Sequence, residues 1–301
     1  MRKVIVQLLV VVGMLSGLSE GLIAQAEVDA RLQAKLEVTY VQWRDAMIKK
    51  NYQRWAFYTA SHRKIAIKNR IVSEKKAFPG TLFSVPVVPP TLKGLKALRV
   101  SSRGATATAV YFGKIDFGVG GDIPENLLVV TYVNEAGMWK YSEVDFIRLN
   151  ELKDVRAQLK AGNLKYVNQA AFAPDGKVPV KPIEVRGAQY IAKVYVFCPG
   201  REVRMKVNKV SDHRFQNTKM SEVVIGGAHQ GLNEVQFSTK ALEGSTGKEA
   251  LSIRVYMMSA IPGVAPVKVY EYQVPAEGVV KPFGSGNFMV DEKILKKMNG
   301  K

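Results

Sequence analysis

The side chains able to do chemistry are few, and they sit in strand-like runs. Asp116, Glu143 and Asp145 are carboxylates in or beside apolar stretches, and Tyr111, Tyr132 and Tyr141 share those stretches. A carboxyl group held in an apolar interior has its pKa raised, and a phenol beside it can donate to a developing oxyanion. Such a pair would suit proton transfer. The competing reading is that alternate carboxylates on one strand, Glu143 and Asp145, simply point at water. No catalytic residue is assigned from this set.

Other chemical sets fall short. His62, His213 and His229 are far apart, none has an i+3 or i+4 partner, and cysteines do not cluster. No metal site is expected. Spacing leaves a Ser-His-Asp arrangement open, but there is no G-x-S-x-G elbow. Gly244-Ser245-Thr246-Gly247-Lys248 is too short for a phosphate loop, and Glu249 stands where Ser or Thr would hold magnesium. Gly118-Val119-Gly120-Gly121 runs into Asp122 and Pro124, not into a helix, so it is no dinucleotide fingerprint. No cofactor is expected. Cys198, the one cysteine, ends an apolar run at 190–197 and reads as a packed thiol.

The chain that must position these groups has 301 residues and an apolar fraction of 47%, comfortable for two cores. Arg2 and Lys3 precede an apolar run at 4–18, and Ala24-Gln25-Ala26 is a small-x-small site. Residues 1–26 therefore read as a secretory signal peptide. The run is shorter than the ~20 apolar residues of a span, and no second run approaches that length, so no transmembrane span is expected after cleavage. One cysteine in an exported chain leaves no internal disulfide. The formal net charge of +18 favours anionic partners. Export argues against nucleic acid and for an envelope protein or an anionic surface.

Residues 27–50 read as an amphipathic helix, with Val28, Leu32, Leu36, Tyr40, Trp43 and Met47 at steps of three and four. Asn51 is expected to end it. Shorter helices are expected at 52–58, carrying Trp55, and at 63–76. Residues 49–76 hold Lys49, Lys50, Arg54, Arg63, Lys64, Lys68, Arg70, Lys75 and Lys76 against Glu74 alone. This is either a solvated face or an anion-binding one, and Lys49, Lys50, Arg54, Arg63, Lys64, Lys68 and Arg70 are the candidate binding residues. A proline-broken connector follows, then a hairpin about Ser101–Gly104. The central hairpin at 127–149 turns at Asn134-Glu135-Ala136-Gly137. Its first arm is apolar throughout, as in a strand covered on both faces.

Asn150 is expected to cap a helix at 151–164. Three prolines at 174–182 mark a boundary. Beyond it, alternating runs at 189–198, 202–210, 221–225, 233–238, 250–258 and 267–274 suggest about seven strands of an antiparallel sandwich. Residues 276–301 read as a Gly-rich, basic tail.

In order and pattern, residues 27–149 resemble the NTF2-like superfamily, the cone-shaped fold of ketosteroid-isomerase-like and SnoaL-like proteins. The resemblance rests on the long helix, the shorter helix with Trp55, the bent hairpins, and the turn exit Gly137-Met138-Trp139-Lys140. It implies an apolar cavity under the helix, with Trp43, Trp55, Tyr111, Asp116, Tyr132 and Tyr141 as candidate lining. It also implies a possible homodimer through the sheet. Residues 183–275 resemble an immunoglobulin-like sandwich in architecture. The expected fold is α+β: a signal peptide (1–26), an NTF2-like domain (27–149), a helix and linker (150–182), a β-sandwich (183–275) and a basic tail (276–301). The expected function is an exported, non-catalytic binding or assembly protein of a bacterial cell envelope. The alternative is a small-molecule-binding protein or enzyme using the cavity.

Overall fold

The computed structural model describes residues 28–84, 87–116 and 123–300. The expected signal peptide lies outside these residues, as does most of the glycine loop at 118–124. The chain forms two compact units. One takes the described chain up to Lys64 and again from Phe83 to Lys181; the other takes Ile65–Leu82 and Pro182 onward.

The first unit begins with α1 (Ala30–Ile48), capped by Asp29, whose carboxylate accepts from the Arg31 and Leu32 amides at 3.0 Å. Leu32, Leu36, Tyr40, Trp43 and Met47 are buried, as the 3.6-residue stripe requires. Val28 precedes the helix and bridges Val100 instead. Asn51 closes α1 through its amide, which donates to the Ala46 carbonyl at 2.9 Å, and its side chain has a second duty. It caps α2 (Tyr52–Tyr58), its side-chain oxygen accepting from the Arg54 amide at 3.0 Å, while Lys50 at φ 53 turns the chain.

The strands β1 (Lys96–Arg103), β2 (Thr106–Lys114), β3 (Glu125–Glu135) and β4 (Met138–Arg148) form an antiparallel meander in that order. Ala136 and Gly137 make the β3–β4 turn at φ 52 and 81, the left-handed pair that matches strand twist. Register slips at Ala97/Arg99 and at Thr131/Tyr132 bend the sheet. α1 packs across β1 and β4. Side chains alternate between faces, so Ala109, Tyr111, Leu128, Val130 and Tyr132 face opposite to Val110, Phe112, Leu127 and Val129. That second set is buried with Leu159, Val167 and Phe172. The chain from 149 to 172 therefore covers the sheet face that α1 leaves bare.

Leu159 belongs to α4 (Lys153–Lys160), which is shorter than expected and lacks the Asn150 cap. The Leu152 amide first bonds back to the Leu149 carbonyl at 3.2 Å, so Asn150 lies two residues upstream of the capping position, and Leu152 stands there without a side-chain bond.

Helix α3 (Ser61–Ser73) starts in the first unit and continues into the second at Ile65. Asn69, buried, donates to the Ile183 carbonyl at 2.7 Å and accepts from the Val185 amide at 3.0 Å. Ser73 Oγ accepts from the Gly226 amide at 2.8 Å. These bonds treat the helix as part of the β-rich unit.

That unit holds β5 (Ala192–Phe197), β6 (Arg201–Val207), β7 (Ser211–Gln216), β8 (Lys219–Val223), β9 (Gly231–Ala241), β10 (Leu251–Met257), β11 (Val267–Val274) and β12 (Phe283–Val290). They form two four-stranded antiparallel sheets, β11-β10-β5-β8 and β12-β9-β6-β7. Val194, Val196, Ile253 and Val255 of one sheet share a core with Val203, Met205, Val235 and Phe237 of the other. The expected basic tail holds β12 and then α5 (Glu292–Met298), which buries Met298. β12 carries glycine where rings lie over it: a Cβ at Gly284 would stand 2.5 Å from Phe237, and one at Gly286 2.5 Å from Tyr270.

Candidate functional site

The basic stretch is divided by the fold. Lys49, Lys50, Arg54, Arg63 and Lys64 belong to the first unit, Lys68 and Arg70 to the second. Acids take up several of them. Asp45 pairs with Lys49 at 2.9 Å and with Arg54 at 3.2 Å, and Arg54 also bonds to Gln42. Arg63 meets Glu143 at 3.4 Å, and Lys68 is paired with Glu184. Lys50, Lys64 and Arg70 have no ion pair among the described residues. Exposed pairs of this kind contribute little stability, but they lower the charge offered to a partner.

Arg54 holds α2 alongside α1, and this creates a second surface feature. Val38, Val41 and Ile48 project from α1 on one stripe; Tyr52 and Phe57 project from α2. Lys140 of β4 stands over the Phe57 ring at 4.0 Å and bonds to its carbonyl, which brings Met138 to the same side.

Beneath α1 the aromatic candidates gather. Trp43 stacks on Tyr141 at 3.7 Å between ring centroids, and Tyr40 lies 5.5 Å from Trp43 and 6.2 Å from Tyr141. Tyr40 Oη donates to the Pro90 carbonyl at 2.9 Å, fixing the proline connector to the helix. Trp55 is buried at the α1–α2 side and holds Thr59 through its carbonyl. Burial pushes the phenols of Tyr40, Tyr111, Tyr132 and Tyr141 well above their ordinary range, so all four stay neutral. Glu37 adds to the shift at Tyr111 through its charge, yet no hydrogen bond of normal geometry joins them. Trp43 Nε1, Tyr111 Oη and Tyr132 Oη are buried without partners.

The carboxylate nearest these phenols is Glu37 of α1, half-buried, whose charge reaches Tyr111 and Tyr132; it is none of the three expected from sequence. Asp116 lies past the end of β2 and is exposed, so it does not line the space with the tyrosines. Asp145 is exposed and Glu143 is held by Arg63.

The arrangement nearest to a catalytic set lies in the second unit, and its residues were not singled out by spacing. Ser211 Oγ is 2.6 Å from His213 Nε2, and His213 Nδ1 is 2.9 Å from Glu222 Oε2. The order matches a Ser-His-acid relay. Its surroundings do not match. Ser211 is 0% exposed, and its Oγ accepts from the Ile225 amide at 2.7 Å. A nucleophile with no route to substrate and a lone pair already used is a structural tie. The relay links β7 to β8 and the chain after it. The one available signal was the alternation Ser211-x-His213-x-Phe215, which buries polar side chains on a strand.

The other histidines also have local duties. His62 bonds Ser142 Oγ at 3.0 Å, and burial lowers its pKa against the pull of Glu135. His229 Nδ1 is 2.7 Å from Asn233 Oδ1 in the turn before β9. Cys198 is buried, its thiol pushed up by that burial. No three His, Cys, Asp or Glu side chains among the described residues are grouped to hold a metal. No described helix is long and apolar enough to cross a membrane. No family model, curated protein or solved structure matches the chain.

Proposed function

We propose that this chain is an exported, non-catalytic binding or assembly protein of a bacterial cell envelope. The observation that carries the reading is the aromatic packing beneath α1. Trp43 stacks on Tyr141 with Tyr40 beside both, and none of Asp116, Glu143 and Asp145 is buried there. The one acid near these phenols, Glu37, is bound by Gln33 at 2.7 Å, and the reading takes recognition to the outer surface. We read the first unit as an NTF2-like cone, supported by a long helix across a bent four-stranded meander. We read the second as immunoglobulin-like, supported by two four-stranded antiparallel sheets over one core. Export rests on the pattern of residues 1–26. The partner is an envelope protein or an anionic surface, in keeping with the +18 charge.

Co-sedimentation of the chain from Glu27 onward with isolated bacterial envelopes tests this. Association that weakens with salt is expected. Its absence at low salt would end the proposal.

One observation favours a second reading. Trp43 Nε1, Tyr111 Oη and Tyr132 Oη are buried donors without acceptors, and a small guest with an acceptor oxygen would satisfy them. If the site holds no guest, Tyr111→Phe and Tyr132→Phe leave stability unchanged or raise it, because each removes an unmet hydroxyl. If it holds one, both variants lose thermal stability in the protein as purified.

A further inference from the structure

We infer that the exposed side of α1 and α2 docks onto an anionic lipid bilayer. The inference rests on the reading of the chain as an exported binding protein and names the partner of its helical layer.

The surface combines two features that a folded protein normally keeps apart. Val38, Val41 and Ile48 on α1 are 58%, 51% and 46% exposed, and Phe57 and Tyr52 on α2 are 50% and 40% exposed. Met138 at the β3–β4 turn is 40% exposed. Arg54, bound to Asp45 and Gln42, fixes the two helices side by side, and Lys140 on Phe57 joins the turn to them. Cations lie among the apolar side chains: Arg31, Lys35, Lys49 and Lys50 are exposed on the same hairpin. From Ala30 to Tyr58 there are six Lys or Arg against Glu37 and Asp45; Asp45 takes up Lys49 and Arg54, and Lys35 and Lys50 make no ion pair among the described residues.

The pattern chooses between occupants. A second copy of the chain would bring this excess of positive charge against itself. A protein partner would need pockets matched to each projection. The apolar groups are single projections spread over two helices and a turn. A bilayer interface takes such projections at any spacing, and its anionic headgroups take the lysines between them. Tyr52 offers an apolar ring with a polar tip, the form favoured at that interface.

The test is flotation of the chain from Glu27 onward with protein-free vesicles, either pure phosphatidylcholine or containing phosphatidylglycerol. Binding to the anionic vesicles alone is expected, weakening as salt rises. Lys35→Gln with Lys50→Gln should weaken it about 25-fold, from roughly fivefold per lysine near an anionic surface. Val41→Ser with Phe57→Ser should also weaken it and leave the salt dependence in place. All four residues are exposed, and an unchanged circular dichroism spectrum shows the fold intact. No flotation with anionic vesicles at low salt overturns the inference, as does flotation unaffected by both pairs of substitutions. Envelopes that bind the chain while vesicles of their extracted lipid do not would also overturn it. That result points to an acidic protein and leaves the broader reading standing. Failure to bind envelopes at all removes both.

Discussion

Replacing His213 decides whether the Ser211–His213–Glu222 relay is a tie or a reactive centre. His213 makes one bond to Ser211 Oγ at 2.6 Å and one to the Glu222 carboxylate at 2.9 Å. A neutral bond contributes ~1 kcal/mol and one to a charged group ~1.5–3 kcal/mol. The imidazole also stacks on Phe215 at 6.0 Å, at ~0.5–1 kcal/mol. We predict that His213→Ala costs about 3–5 kcal/mol. Ser211→Ala should cost about 1–3 kcal/mol, because it leaves the Ile225 amide buried without an acceptor. Urea denaturation measures both, but the probe matters. Trp43, Trp55 and Trp139 all lie in the first unit, so tryptophan fluorescence is blind to this site. The loss should appear in circular dichroism and leave the fluorescence transition in place. A serine-reactive fluorophosphonate should not label the folded chain. Unchanged unfolding in both variants, or labelling at Ser211, would refute the structural assignment.

Three further outcomes are expected. Asn69→Ala should destabilise the β-rich unit by about 2–4 kcal/mol, since it deletes two bonds and strands the Ile183 carbonyl and Val185 amide; limited proteolysis near 183–185 would show it, and resistance equal to the native chain would count against α3 belonging there. Burial lowers the His62 pKa, so below its usual ~6.5 the unfolded chain binds the proton that the folded one does not. Stability of the first unit should therefore rise with pH just below 6.5, a slope that His62→Gln removes; a slope of the opposite sign would contradict the assignment. Gly284→Ala drives a methyl into Phe237 and should cost about 1–3 kcal/mol by overpacking, measured by thermal unfolding; an unchanged midpoint would show that β12 can shift.

Apolar periodicity made α1 legible from sequence, because Leu32, Leu36, Tyr40, Trp43 and Met47 repeat on one stripe and only one face is buried. The β3–β4 hairpin was legible from its turn and its apolar first arm. Two strands were not. β7 buries Ser211 and His213, polar side chains whose burial depends on partners far along the chain. β12 uses Gly284 and Gly286, which read as loop until the rings over them are known. Asn51 serves two helices: its amide ends α1 on the Ala46 carbonyl, as expected, and its side chain starts α2, which spacing did not show. The basic run was legible as composition only. Its pairing by Asp45, Glu143 and Glu184, and its division between two units, depend on tertiary contacts that spacing does not encode. Val38, Val41 and Ile48 fall opposite the buried stripe of α1, so the helical period itself places them on the outer face.

Envelope co-sedimentation of two paired variants separates outside from inside most directly. Tyr111→Phe with Tyr132→Phe alters only buried hydroxyls; Lys35→Gln with Lys50→Gln alters only exposed charge. The first pair is predicted to bind envelopes as the native chain does, and the second about 25-fold more weakly. Loss of association in the tyrosine pair, with the lysine pair unaffected, would contradict recognition by the outer helical surface and place it in the interior.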